Sequence, residues 1–241
     1  MSTKIDWRRY VVWLGLFGAL QFFVFSTLAM RYYPGGTLHD RGTEGYSFLY
    51  NYFSDLGRTM SWSGELNTWS NLYFGSSLTL AGLCLTVFFV GLPTLFKTDD
   101  GRFFAVLAAL SGVVAALCYI GIAQTPLDVN YFRHTLFVRA GFIAFLGMSV
   151  AYGLAIGNEP HYPNRYAGAF LAFGALLAIQ ITIMIFGPRS WTSPHALFLQ
   201  ASAQKVVVYA ELLCMSYQCV GALRVLGRGT RRLGEGATLR L

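Results

Sequence analysis

FFAVLAALSGVVAALCYIGIAQ, running from Phe103 to Gln124, decides the fold, because it is an unbroken stretch with no charged residue. At about 1.5 Å of rise per residue, a helix of this length covers roughly 33 Å, enough to cross the hydrocarbon core of a bilayer. Ala108, Gly112 and Ala116 recur at every fourth position, a row that lets a neighbouring helix approach closely. Working outward, comparable runs occupy 11–30, 72–96, 135–157, 166–187 and 203–226. All are continuously apolar, whereas barrel strands alternate over segments of about 10 residues, so the expected fold is all-α. Composition agrees, since 12% of residues are charged, half of the roughly 25% usual for soluble domains.

This reading makes residues 1–227 one six-helix transmembrane domain and 228–241 a basic, glycine-rich tail expected to be disordered. The first run follows Lys4, Arg8 and Arg9 and contains a small-residue site at Thr27-Leu28-Ala29, as a signal peptide would. Its apolar stretch exceeds the 7–15 residues or so of a signal core and reads as a retained helix. Basic residues accumulate on cytoplasmic flanks. With the N-terminus inside, Lys4, Arg8, Arg9, Lys97, Arg102, Arg165, Arg224, Arg228, Arg231, Arg232 and Arg240 are inner, against Arg31, Arg41, Arg58, Arg133, Arg189 and Lys205 outside. An N-in, C-in protein of the cell (cytoplasmic or inner) membrane is therefore expected. The net charge of +7 becomes a topology signal and an attraction to anionic headgroups, with no call on nucleic acid. Cys84, Cys118, Cys214 and Cys219 all lie within spans, where a thiol behaves as a small hydrophobe.

Most residues able to do chemistry fall at the outer ends of the spans. The segment 31–70 is too long for a plain connection and too rich in Tyr, Phe and Trp for a solvated tail, so an ordered loop over the bundle mouth is expected. Within it, Tyr33-Pro34-Gly35-Gly36 predicts a turn that ends the first helix. Apolar positions 46, 49, 50, 53 and 56 predict a short amphipathic helix, stopped by Gly57 in a left-handed cap.

Glu211 lies about eight residues into the last span, a depth at which acids are costly and face the bundle interior. With Gln204 and Gln218 it forms a polar stripe at seven-residue spacing. Arg139 or Lys205 is the natural partner of its carboxylate. Asp128 and His134 stand one short turn apart in the third connection, where Asn51, Ser54 and Asp55 of the long loop can reach them. A carboxylate beside a histidine can orient its tautomer, bind a metal or activate a hydroxyl or water; alternatively, Asp128 N-caps a helix turn while His134 caps or packs at the start of the fourth span. No HExxH, CxxC or GxSxG spacing occurs, so neither a metal nor another cofactor is expected.

The Tyr-Pro-Gly-Gly turn at 33–36, the segment Asn51-Tyr52-Phe53-Ser54-Asp55-Leu56-Gly57, and Pro126-Leu127-Asp128 followed by His134 carry a resemblance. At these residues the chain resembles the six-span prokaryotic membrane proteins called domain of unknown function 998, which implies a six-helix membrane protein and supplies no activity. Its first outer loop is more distantly similar to that of the damage-regulated autophagy modulator group. The alkaline ceramidase group is a weaker likeness still, since its histidine pair on one helix is missing.

The expectation is an outward-facing polar pocket formed by Asn51, Ser54, Arg139, Gln204, Lys205 and Glu211. It would bind a lipid or small amphiphile, or serve a membrane complex as an accessory subunit, with membrane lipids, a partner membrane protein or a second copy as partners. The alternative is a membrane-embedded hydrolase or transferase using Asp128, His134 and Asp55; a third is a proton-coupled carrier using Glu211.

Overall fold

In the computed structural model of the chain, residues 6–238 are described, those from 228 onward by backbone alone. Six α-helices follow in order: α1 Trp7–Arg31, α2 Thr68–Gly91, α3 Asp99–Ala123, α4 Tyr131–Gly157, α5 Asn164–Phe186 and α6 Pro194–Thr238. All six are long and apolar enough to cross a membrane, and no strand occurs among the described residues. Every helix begins two to nine residues before its expected span, and polar caps account for three of these early starts. Asp6 accepts from Arg8 N, Thr98 from Gly101 N, and Asn130 from Arg133 N, each satisfying a first-turn donor. Asn130, not Asp128, therefore caps α4. Where a disordered tail is expected from composition, α6 continues to Thr238. Lys4 and Arg240 of the expected basic flanks lie outside the described residues.

The helices form a closed ring in which each packs on its sequence neighbours and α6 returns to α1. Close approach depends on small residues. At Gly82 of α2, an added Cβ would stand 2.6 Å from the Ala116 carbonyl oxygen of α3, so a larger residue would push the pair apart. Ala108, Gly112 and Ala116 face inward, as packing residues, whereas Gly168 and Ala172 of α5 lie on its outward face. In the half of the bundle away from the long loop, Tyr152 stacks between Phe89, Phe96 and Phe170, with ring centroids 6.2, 6.4 and 5.3 Å away. At that end Glu159 accepts from Lys97 N at 2.6 Å and Thr98 N at 3.1 Å, fastening the α4–α5 turn to the start of α3.

The segment 32–67 folds over the other end of the ring. Two isolated bridges, Gly35 with Glu44 and Met60 with Leu66, organise it. The expected turn at 33–36 is present, and it needs glycine. Gly36 has φ of 83°, and a Cβ there would meet Ser63 N at 2.3 Å. The amphipathic helix expected over 46–56 does not form; only Phe53–Gly57 is helical, as a 3-10 turn, and Gly57 has no positive φ. The cause is side-chain competition for the backbone. Asn51 accepts from Ser47 N at 2.9 Å and donates to Gly36 O at 3.0 Å, while Asp55 takes Tyr52 N at 2.8 Å. Gly57 serves for space instead, since a Cβ would stand 2.9 Å from the Phe74 ring.

Candidate functional site

The loop is fastened to α6 by two consecutive residues. Gln204 accepts from Phe53 N at 2.9 Å, and the ammonium of Lys205 donates to the Asn51 carbonyl. Lys205 is buried at 2% exposure among the rings of Tyr46, Phe48 and Phe53, with its nitrogen 5.3–5.7 Å from their centroids. Aromatic faces thus offset part of its desolvation. On the far side, Asp128 accepts from Thr59 and Met60 and pins the strip that precedes α2.

Between this lid and the ends of α4, α5 and α6 lies a cavity of about 290 Å³. The lid contributes Tyr52, Ser54, Asp55, Arg58 and Trp62; α4 contributes His134, Val138, Arg139 and Phe142; α5 contributes Gln180 and Met184. The α5–α6 connection adds Arg189 and Trp191, and α6 adds Leu197, Gln200 and Gln204. Its lining is amphipathic, with an apolar wall facing three guanidinium groups and several amides.

Asp55 lies wholly inside and is held by three N–H donors: Tyr52 N at 2.8 Å, Asn51 Nδ2 at 3.2 Å and Trp62 Nε1 at 2.9 Å. Burial nevertheless pushes its carboxyl above the ordinary range, against those donors. His134 is 3% exposed, and its Nδ1 stands 2.6 Å from the Thr125 carbonyl. A carbonyl only accepts, so Nδ1 carries the proton and Nε2 of the neutral ring is left as an acceptor. That Nε2 is buried with no partner, and so is Oε1 of Gln180.

Of the residues expected at a pocket, Ser54, Arg139 and Gln204 line the cavity, but Asn51, Lys205 and Glu211 do not. Asn51 and Lys205 are consumed in holding the lid. Glu211 lies deeper, where it accepts from the hydroxyl of Tyr119, beside a void of about 20 Å³. The expected ion pair from Arg139 or Lys205 to Glu211 is not formed. Intermediate between the two spaces is a third, of about 60 Å³, that shares Ser54 and Gln204 with the outer cavity and Tyr119 with the inner one. The rest of the polar stripe on α6 is structural, since Gln218 donates to the Tyr166 carbonyl at 2.9 Å.

The candidate catalytic residues separate. Asp55 and His134 share the cavity, whereas Asp128 does not line it. Burial tends to raise the Asp128 carboxyl, but the donors of Thr59 and Met60 outweigh it and hold the group below its ordinary value. It is an acceptor already filled. Among the described residues, no three His, Cys, Asp or Glu side chains converge as a metal site would require. His39 spans instead to the α5–α6 connection, with Nε2 2.7 Å from Ser190 O.

Comparison with family models, curated proteins and solved structures yields no match to this chain.

Its site is therefore read from its own geometry. Arg58, Gln180, Gln200, Arg189 and Trp191 were not expected to meet there. Gln180 carried a visible signal, an amide 16 residues into an apolar helix, and it is 4% exposed. The connection Pro188-Arg189-Ser190-Trp191 carried another, an arginine two residues from a tryptophan between two prolines at 188 and 194. Nothing local indicated that this connection and the residues around Arg58 would close on the same space.

Proposed function

We propose that the chain spans a membrane six times with both ends on the cytoplasmic side, and that it binds a lipid or small amphiphile in an outward-facing pocket beneath the 32–67 lid. The observation that carries this reading is the cavity of about 290 Å³, whose lining brings apolar side chains together with three arginines and the amides of Gln180, Gln200 and Gln204. A concave, largely apolar space with a few convergent polar groups is the usual form of a small-molecule site. The apolar wall suits a chain or ring, and the amides and guanidinium groups suit a polar head. Asp128 is committed to the lid, so a binding role uses more of the site than a hydrolytic one does.

The test is native mass spectrometry of the protein released from mild detergent. The wild type is expected to retain a bound amphiphile that Thr135→Trp, which fills the cavity from α4, excludes without loss of monodispersity. Equal retention by both proteins would refute the pocket. Orientation is checked separately by labelling single cysteines in the 32–67 and 158–163 segments from outside intact cells; only the former should react.

A further inference from the structure

The geometry points to an anionic head as the pocket's ligand, a phosphate ester or a free carboxylate held by Arg139 with Arg58 and Arg189. This rests on the reading of the cavity as a binding site and narrows it to one chemistry.

The charge of the lining is one-sided. Arg58, Arg139 and Arg189 all line the cavity, and among the described residues none has a carboxylate within ion-pair distance. The acid in the lining, Asp55, receives three N–H donors and feels the charge of Arg58 without forming an ion pair with it. Arg58 lies 3.9 Å from the Trp62 ring centroid and Arg189 5.7 Å from that of Trp191, so two of the cations rest on aromatic faces at the rim. Stacking fixes the plane of a guanidinium, and although Arg58 Nε donates to Met60 O at 2.9 Å, its two terminal nitrogens remain for the bidentate bonding that oxyanions favour.

Arg139 is placed differently. It lies eight residues past the start of α4, about 12 Å along the helix, among Val138, Phe142 and Met184. A cation at such a position in a span faces a partner, water or a cavity. Here Arg139 is exposed and lines the cavity, and no carboxylate among the described residues pairs with it. His134, five residues before Arg139 on the same helix, and Gln180 of α5 line the same cavity.

Size separates head from tail. Small-molecule sites usually measure about 300–1,000 Å³, so this cavity is at the lower limit and holds a head, not a whole lipid. Beside it, Leu136 and Ile143 of α4 and Ile179 and Phe186 of α5 are exposed, an apolar surface on which acyl chains can lie. The shared chemistry, an oxyanion, fits either an anionic lipid or a free phosphate.

The full chain, delipidated in neutral detergent, is titrated with phosphatidylglycerol, with phosphatidylcholine, with monoacylglycerol and with inorganic phosphate, following the thermal midpoint and bound mass. Phosphatidylglycerol is expected to bind at least tenfold more tightly than phosphatidylcholine or monoacylglycerol, and Arg139→Gln to remove that preference. Arg133→Gln, outside the cavity on the same helix, should retain it. Binding of inorganic phosphate alone with the same dependence on Arg139 would make the source a free anion; binding only of the lipid makes it a headgroup, and either supports the proposal. Equal affinity for all three amphiphiles, all excluded by Thr135→Trp, overturns the anionic head while leaving the pocket standing. Failure of Thr135→Trp to exclude any of them overturns the pocket itself. Should Arg139→Gln not fold, Arg189→Gln and Arg58→Gln give the same reading from the rim, each expected to weaken the preference several-fold.

Discussion

Asp128 receives the backbone of Thr59 on both carboxylate oxygens, each at 3.0 Å, and the Thr59 hydroxyl on one of them at 2.6 Å. With Met60 N at 2.9 Å, one exposed side chain fastens the lid to the α3–α4 connection. Charged hydrogen bonds contribute about 1.5–3 kcal/mol each when sheltered, but solvent screens this site. Asp128→Ala should therefore loosen the lid by about 1–2 kcal/mol, measured as roughly five- to thirtyfold faster tryptic cleavage at Arg58.

The same carboxylate sets a pH dependence. Its folded pKa lies below the ordinary value of 3.8, so its contribution is complete at neutral pH and is lost as pH falls through 3.8 toward the folded value. Proteolysis of the wild-type lid should accelerate on acidification in that range. In Asp128→Asn the baseline should be faster at neutral pH and the acid-dependent step smaller; an unchanged step would assign it to another group.

Deep in the bundle, Tyr119 and Glu211 depend on each other. Glu211 is 4% exposed and has the Tyr119 hydroxyl as its hydrogen-bond donor. Tyr119→Phe should cost about 1–3 kcal/mol by leaving a buried carboxyl without its donor. Adding Glu211→Leu should return most of that loss, because the orphaned group goes with it. Thermal unfolding of the two single variants and the double variant in detergent measures the coupling, and strictly additive losses would disprove it.

Two glycines of the lid share a left-handed backbone but not an environment. Gly36 and Gly64 have φ of 83° and 94°, yet a Cβ at Gly36 strikes Ser63 N at 2.3 Å while one at Gly64 meets open space. Gly64→Ala should cost about 1 kcal/mol from backbone strain alone. Gly36→Ala should cost about 3 kcal/mol or more and separate the turn from Ser63, visible as faster hydrogen exchange at Gly36 N and Ser63 N.

Lys205→Met keeps the aliphatic stem and removes the ammonium. It should loosen the lid by about 1–3 kcal/mol through loss of the bond to Asn51 and the aromatic contacts. The measurement is again cleavage at Arg58, and a rate equal to wild type would mean that the ammonium does not hold the lid.

What could be read from the chain follows from the range of each interaction. Apolar run length is local, so six helices were legible, as was the glycine turn at 33–36. Depth in a span was also legible for Glu211, which is buried as expected; it said nothing of azimuth, and Arg139, expected as its partner, is exposed and lines a different space. The pairing of Asp128 with Thr59 crosses 69 positions and leaves no local trace. The stretch 46–56 has helical spacing but also Asn51 and Asp55, whose side chains take backbone donors that a helix would need. Polar satisfaction overrode periodicity there.

The lid is attached to α6 across 151 and 154 positions, through Gln204 and Lys205. At about 5–20 residues per second, a ribosome delivers those anchors roughly 8–30 s after it has finished the lid. For that interval the tyrosines and phenylalanines of 46–53 have neither the amide nor the ammonium they close upon. A chain halted before α6 would carry a pocket lacking one wall and a lid with nothing to hold it, so the last helix decides when the first loop becomes a structure.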